Sequence, residues 1–242
     1  MNLKGRGKVE KYKGNIYAEI IEVSGFYGAI HGARNPMNSW RLMDSIFVNG
    51  TLTELGDNDK RLLQNLIKGG GEHRKFLRMI HVQVDLNLPR YIWSEFDTYK
   101  FNVKNSTSTM HKLLNSDDEK KWKETELDKL LNTRGKLTTN NFFYSLDDEK
   151  ILVEIIDKLN EIRDLFLASS DPKEKRQLKR RAKQLLPESF LQMRTVDTNY
   201  EELRNIFLQR KNHTLDIEWG VITEMIKNLP FAKELLLYGI ED

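Results

Sequence analysis

Hydrophobic and polar residues alternate most regularly over residues 79–86, MIHVQVDL, where the even-numbered positions are all apolar and most odd-numbered positions are polar. A period of two predicts a β-strand with one buried face. The polar face of this strand either contacts water or lines a site. Residues 15–23, NIYAEIIEV, predict a second strand of the same sheet.

Amphipathic periodicity and capping signals predict helices through much of the remaining chain. The predicted helices are DKRLLQNLIK with Asn58 as its cap, two short helices in SGFYGAIHGARNP and EHRKFLR, one that Pro89 opens, Leu146 to Ala168, Asp171-Pro172 to Pro187, TNYEELRNIFLQRK, LDIEWGVITEMIKN and PFAKELLLYG. FNVKNSTSTMHK is predicted as a polar segment, and Leu186 as the start of a loop that enters a helix. The pattern predicts an α+β fold in one domain, residues 1–242, with a variable insertion at 115–148.

Composition narrows the class of protein. The chain has 242 residues, of which 39% are hydrophobic and 31% charged, and its formal net charge is +3. This small charge does not favour a nucleic-acid partner. The absence of cysteine excludes thiolate nucleophiles and cysteine-ligated metals, and we expect a reducing cytoplasm. No apolar run is long enough for a membrane span, and the basic N-terminus lacks the apolar core of a secretory signal.

One arginine is unusually placed. In the C-terminal block, Leu203, Ile206, Phe207 and Arg210 fall on one side of a helix at about 100° per residue, and Asn199 lies on the same side. An arginine on an apolar stripe requires an anionic partner, because burying an unpaired charge is costly. Two interpretations stay open at this point: a structural ion pair, or a binding site for phosphate or carboxylate.

Other chemical signals are weaker. The run KRQLKRRAK is typical of a solvated helix face, although it could contact phosphates. The four hydroxyl side chains of residues 106–109 suit either a helix cap or an anion-binding turn. Trp93, Phe96 and Tyr99 have the spacing of a core-facing helix. His73 and His81 do not have a metal-ligand spacing, so we expect no metal site.

Residues 59–113 resemble the core of the flavin-dependent thymidylate synthases, the ThyX family. The shared order is a helix, a glycine-containing turn, a short helix, an alternating strand and a helix that leads to the family's Arg-His-Arg signature. Leu186 to Arg210 resembles the family's second conserved block, and the two blocks cover about half of the chain. The resemblance implies a small, mainly antiparallel sheet flanked by long helices.

The resemblance also assigns roles to individual residues. The position of Arg210 contacts the pyrimidine of dUMP in the family, and the position of Asn205 contacts the flavin. Lys183 stands where the family has a phosphate-contacting arginine, and Asn105 and Ser108 match the family's Asn-Glu-x-Ser stretch. The sequence departs from the family elsewhere. Thr98-Tyr99-Lys100 replaces Arg-His-Arg, Ser106 replaces a glutamate, Met110 replaces a substrate-binding arginine, and Arg78 replaces a flavin-contacting histidine.

If the resemblance extends to function, the chain methylates dUMP at C5 with methylenetetrahydrofolate, and FAD reduced by NADPH supplies the hydride. Arg210 would be the catalytic residue that stabilises negative charge on the pyrimidine. The expected substrate-binding residues are Glu95, Lys100, Ser106, Ser108, Lys183 and Arg210. The expected cofactor-binding residues are Arg78, Thr98, Tyr99, Lys100, Asn199 and Asn205.

The sequence also bears on the oligomeric state and on the reaction product. Asn205 and Arg210 are five residues apart, about 140° around a helix, so the two side chains are not expected to face one pocket of a single subunit. A homotetramer with sites shared between chains, as in the family, would resolve this. Two alternatives remain: a related enzyme with another outcome, such as hydroxymethylation or use of another nucleotide, and a non-catalytic nucleotide-binding homologue.

Overall fold

The alternation predicted over residues 79–86 is a β-strand, and Val82, Val84 and Leu86 are each no more than 1% exposed. The structure, a computed structural model, describes residues 3–4, 11–114 and 135–240. The strands in these ranges are β1 (Leu3–Lys4), β2 (Tyr12–Lys13), β3 (Tyr17–Ser24), β4 (Ile46–Val48), β5 (Thr51–Glu54), β6 (His81–Pro89), β7 (Val103–Ser106), β8 (Tyr144–Ser145) and β9 (Leu191–Asn199).

Five strands form one sheet in the order β1-β3-β6-β9-β7, and each neighbouring pair is antiparallel. β6 therefore pairs with β3 on one side and with β9 on the other. Two further antiparallel pairs, β2 with β8 and β4 with β5, lie outside this sheet. The prediction of a small antiparallel sheet is confirmed.

Two segments contain strands of this sheet that were not predicted. The loop expected after Leu186 contains β9, a nine-residue strand inside the sheet. The polar segment at residues 101–112 contains β7 and a short helix. Both strands have polar residues on each face, so period-two alternation is weak in them.

Most predicted helices are present. The α-helices in the described ranges are α1 (Phe26–Arg34), α2 (Asp57–Lys68), α3 (Arg90–Phe96), α4 (Thr109–Leu113), α5 (Glu149–Ala168), α6 (Pro172–Leu185), α7 (Tyr200–Arg210) and α8 (Asp216–Lys227). Residues Arg74–Met79 are a 3₁₀ helix, and Ala232–Leu236 form a π-helical turn. Asn58 was the wrong cap for α2: Gly56 precedes the helix, and the Asp44 carboxylate accepts hydrogen bonds from the backbone N–H groups of Asn58 and Asp59.

The apolar side chains form two clusters. The larger one lies between the sheet and helices α1, α2, α3, α7 and α8. It includes a buried ion pair, in which Arg34 Nε donates to Asp59 Oδ1 at 2.7 Å, and the two residues are 3% and 0% exposed. The smaller cluster joins α4, α5 and α6 to Leu137, Phe142 and Tyr144. Part of the predicted insertion, from residue 135, therefore packs in a core, while residues 115–134 lie outside the described residues.

The other face of β6 is polar from His81 to Asp85. His81 and Gln83 on β6 are exposed, and Thr195 Oγ1 donates to Asp85 Oδ1 at 2.6 Å across the β6–β9 pair. Across the described ranges, no helix combines the length and hydropathy that crossing a membrane requires.

Candidate functional site

Arg210 is the last residue of α7, and its side chain crosses to α3. Nη1 donates to Glu95 Oε2 at 2.7 Å, and Nε donates to the Tyr99 hydroxyl at 2.9 Å. The guanidinium carbon lies 4.4 Å from the centre of the Trp219 ring, and the side chain is 15% exposed. Arg210 thus has the anionic partner that its position required, and that partner is a carboxylate of the same chain. The ion-pair interpretation accounts for its burial without a ligand.

The Glu95 carboxylate is the centre of this cluster. Besides Arg210, its Oε2 accepts from Trp219 Nε1 at 3.2 Å and lies 3.6 Å from His213 Nε2. Trp219 is fully buried on α8, and His213 lies in the turn between α7 and α8. Neither residue was predicted as part of the site. Trp219 lies within the predicted helix LDIEWGVITEMIKN, with no sequence signal that sets it apart, and His213 stands only three residues after Arg210.

Tyr99 connects Arg210 to Asn205. Its hydroxyl accepts from Arg210 and donates to Gln209 Oε1 at 3.0 Å, and Gln209 Nε2 donates to Asn205 Oδ1 at 3.0 Å. Asn205 is exposed, whereas Arg210 is partly withdrawn. Hydrogen bonds within one subunit therefore connect the two residues. This weakens the argument that their separation of about 140° around the helix requires a site shared between subunits. The homotetramer stays a prediction.

The segment after α3 contains two more predicted residues. Thr98 Oγ1 donates to the Glu95 carbonyl at 2.7 Å, and Lys100 Nζ donates to the Asp97 carbonyl at 2.8 Å. These bonds satisfy carbonyl groups at the end of the helix. Both residues are exposed, so the Lys100 ammonium also faces solvent.

Arg194 on β9 is a cation that the sequence did not single out. It donates from Nη1 to both Asp97 oxygens, at 3.0 and 3.1 Å, and its guanidinium carbon lies 4.3 Å from the Trp93 ring centre. Lys104 on β7 also pairs with Asp97, at 3.3 Å. Ser106 is the residue opposite Arg194 in the β7–β9 register. Two cations share one carboxylate beside Ser106, so the local charge at this sheet edge is positive.

Ser108 and Lys183 are two further predicted residues, and they lie at the start of α4 and at the end of α6. The Ser108 hydroxyl caps α4 and accepts from His111 N–H at 3.4 Å, which confirms the capping interpretation. Lys183 is exposed in the last turn of α6, a helix that packs against α4. No ion pair within the described ranges involves Lys183, so its charge is available to an anion.

Arg78 and Asn199 lie apart from Arg210 and its partners. Arg78 is exposed in the 3₁₀ helix that precedes β6. The Asn199 side chain caps α7, accepting from Glu202 N–H at 3.0 Å, and Asn199 is opposite His81 in the sheet register. Within the described ranges, neither Arg78 nor Asn199 contacts Arg210 through a hydrogen bond or ion pair. The structure therefore joins Arg210 directly to Glu95 and Tyr99, and joins Asn205 to Tyr99 through Gln209. Of the other predicted residues, Thr98 contacts the Glu95 carbonyl.

One buried acceptor near this cluster has no donor. Asn102 donates from Nδ2 to the Tyr99 carbonyl at 3.1 Å, but its Oδ1 is buried and accepts no hydrogen bond within the described chain. An unsatisfied buried polar atom is unfavourable by about 1–3 kcal/mol. A ligand with an N–H donor would remove this penalty.

Comparison with solved structures identifies the fold. Two structures of thymidylate synthase X (ThyX) from Helicobacter pylori, both in complex with FAD and dUMP, match this chain with a TM-score of 0.61 and 19% sequence identity. Each match covers 90% of this chain, and covers 95% of one ThyX chain and 96% of the other. No protein-family model and no curated protein sequence matches this chain. The α+β architecture described above is a ThyX-like fold.

Proposed function

We propose that this chain binds a deoxypyrimidine nucleotide and FAD, and methylates dUMP at C5 with methylenetetrahydrofolate and NADPH as co-substrates. The observation that supports this most directly is the cluster of Glu95, Tyr99 and Arg210 on a ThyX-like fold. Glu95 and Arg210 are 115 residues apart in sequence and come from the two separate blocks that resemble the family. The chain has no cysteine, and this chemistry requires no thiolate nucleophile.

We expect the flavin to contact residues both inside and outside this cluster. Arg78 is exposed and makes no ion pair within the described ranges, so it is free to contact a phosphate of FAD. The unpaired Asn102 Oδ1 suits the imide N–H that flavin and uracil rings both have. We expect Thr98, Tyr99, Lys100, Asn199 and Asn205 to complete this cofactor site. When bound, reduced FAD supplies the hydride that completes the methyl group.

Arg210 would stabilise the substrate. Tyr99 and Trp219 hold its guanidinium in place, and its Nη2 donates to no acceptor within the described chain. A fixed positive charge in a partly buried place favours a negatively polarised pyrimidine ring, which is the form that reacts at C5. Glu95 neutralises that charge in the absence of a ligand, so the nucleotide has to compete with Glu95 for Arg210.

Several cations and hydroxyl groups could hold the nucleotide phosphate. Lys100 and Lys183 are exposed, and Ser106 and Ser108 lie along β7 and the start of α4. Arg194, beside Ser106, adds a guanidinium that matches the bidentate geometry of phosphate oxygens better than lysine does. Arg194 would thereby take the place of the arginines that the segment Thr98-Tyr99-Lys100 lacks.

The test begins with the absorption spectrum of the purified protein, which should show flavin bands. The protein is then incubated with methylenetetrahydrofolate and NADPH, with dUMP, dCMP and UMP in parallel, and products are identified by mass spectrometry. A methylated product from dUMP alone supports the proposal, and a hydroxymethylated product or another substrate supports the related enzyme instead. Light scattering would show whether the chain is a homotetramer.

Arg210→Ala tests the assigned residue. We expect loss of turnover with unchanged circular dichroism and oligomeric state. Arg90→Ala is the matched control, because it removes an ion pair with Glu188, 3.1 Å long, in which none of the proposed site residues takes part. Equal activity in both variants would remove Arg210 from the reaction.

The internal pairing of Arg210 with Glu95 favours one further candidate, a nucleotide-binding homologue without catalysis. A guanidinium that is already neutralised is poorly available to polarise a substrate. For this alternative we expect a colourless protein whose melting temperature rises with dUMP and does not change with FAD.

A further inference from the structure

A cavity of about 450 Å³ lies beside the start of α5, and none of the predicted site residues lines it. This volume lies in the range of small-molecule sites, roughly 300–1,000 Å³. The residues that line the cavity are Tyr12, Tyr91, Phe143, Tyr144, Ser145, Asp148, Ile151, Leu152, Ile155, Pro187 and Ser189. The chemistry of this lining indicates which class of ligand it suits.

Four of the lining residues are aromatic, and two of them form a stack. The rings of Tyr12 and Phe143 are 5.7 Å apart at an angle of 12°. Aromatic rings carry negative electrostatic potential on their faces, which attracts cations, and their carbon surface suits an apolar ligand body. Together with Ile151 and Leu152 from α5, they give the cavity a mainly apolar wall.

The charged groups at the cavity are negative. Asp148 is exposed at the N-cap position of α5, its side chain makes no capping hydrogen bond, and no ion pair in the described ranges includes it. The α5 N-terminus opposes this charge only in part, with about half a positive charge. Behind the wall, the Tyr91 hydroxyl donates to the buried Glu218 carboxylate. Burial and this hydrogen bond raise the pKa of Tyr91, so its hydroxyl keeps its proton.

Among the residues that the structure describes, no lysine, arginine or histidine lines the cavity. Four basic residues are adjacent in sequence to lining residues. Lys13 pairs with Glu149 at 3.2 Å and Arg90 pairs with Glu188 at 3.1 Å, whereas Lys11 and Lys150 are exposed and lie outside the lining. Inside the cavity, an anionic ligand would therefore meet Asp148 and aromatic ring faces, with no positive side chain among the described lining residues.

We propose that this cavity binds a small organic cation with an apolar body, of the alkylammonium or quaternary ammonium class. Asp148 pairs with the positive charge, and Tyr12 and the neighbouring rings contact the ammonium methyl or methylene groups. The site is independent of the nucleotide site, so dUMP does not compete with the cation.

The test compares two probes of the same shape and different charge: choline and its neutral analogue 3,3-dimethylbutan-1-ol. Binding to the full chain is measured by isothermal titration calorimetry, with and without dUMP. We expect choline to bind at least about tenfold more tightly than the alcohol. Equal binding of the two probes, or binding of neither, would overturn the proposal, and so would competition by dUMP.

Two variants assign the binding to the cavity. Asp148→Asn should weaken choline binding about two- to fivefold, because it removes the charge and keeps the side-chain shape. Asp147→Asn is the matched control: it removes the adjacent carboxylate, which does not line the cavity, and should leave binding unchanged. Ile151→Trp should fill the cavity and abolish binding without loss of circular dichroism signal. Equal effects of the two aspartate variants, or choline binding to folded Ile151→Trp, would place the binding elsewhere.

Discussion

Substitution of Glu95 by glutamine separates the structural role of the Arg210 ion pair from its role in binding. Glutamine retains an oxygen that can accept from Arg210, but it removes the negative charge. A hydrogen bond to a charged group contributes about 1.5–3 kcal/mol, and partial exposure reduces this value. Since the Glu95 side chain is 32% exposed, we expect the free energy of unfolding to fall by about 1 kcal/mol.

The same change should strengthen nucleotide binding. If dUMP has to displace Glu95 from Arg210, loss of the carboxylate removes that competition. A competing interaction of about 1–2 kcal/mol corresponds to a 5–30-fold lower Kd for dUMP. Urea denaturation measures the stability change, and isothermal titration calorimetry measures the change in Kd.

Glu188→Gln is the control for this experiment. Its carboxylate is 57% exposed and pairs with Arg90 at 3.1 Å, so removal should change stability by less than about 1 kcal/mol and leave dUMP binding unaltered. Arg210→Gln should weaken both stability and binding. The reasoning is refuted if Glu95→Gln and Glu188→Gln give the same stability and the same Kd.

Three further predictions concern stability and are measured by denaturation. Asp59→Ala leaves a buried arginine without its anionic partner and should lower the free energy of unfolding by about 3–5 kcal/mol. Asp57→Ala, at an exposed position in the same first turn of α2, should change it by less than about 1 kcal/mol. Burial lowers the pKa of Lys112 to about 8 in the folded protein. Above pH 8 the unfolded chain therefore binds more protons than the folded one, and the free energy of unfolding should rise from there towards pH 10. Lys112→Met should remove this rise. Gly25→Ala should lower the free energy of unfolding by more than about 2 kcal/mol, because the φ of Gly25 is +89° and an added Cβ would overlap a backbone carbonyl. Gly71→Ala is the control and should be tolerated, since there is open space around Gly71. Equal effects of the two variants would contradict this reasoning.

The parts of the fold that the sequence predicted are those in which one period dominates. α5 and α8 follow the helical period over many residues, and β6 alternates from His81 to Leu86, where only one of its faces is buried. In such elements local pattern and tertiary packing point to the same structure.

β9 shows why the rest could not be predicted. Its core-facing side includes Arg194, which is accommodated only because Trp93 and Asp97 lie against it. These partners are nearly 100 residues away in sequence, so no local signal marks Arg194 as an inward-facing residue. β7 was missed for the related reason that an edge strand such as Val103–Ser106 needs little apolar surface.

The candidate site was predicted in part. Burial of Arg210 followed from helical spacing, but the identity of its partner did not, because Glu95 comes from a distant helix. Trp219 and His213 are neighbours of Glu95 only because the fold brings α3 against α8 and the turn that precedes it. Long-range contacts of this kind are set by the fold and not by any single segment.

The place of β9 within the sheet has a consequence for synthesis of the chain on the ribosome. β6 is complete by residue 89, yet its partner strand on one side ends at Asn199, so about 110 further residues must emerge before that edge is covered. Pairing over such a separation is slow compared with helix formation. During that interval the nascent protein presents an open edge with an apolar face, and a chaperone that binds extended apolar segments would therefore find its target between Ile80 and Leu88.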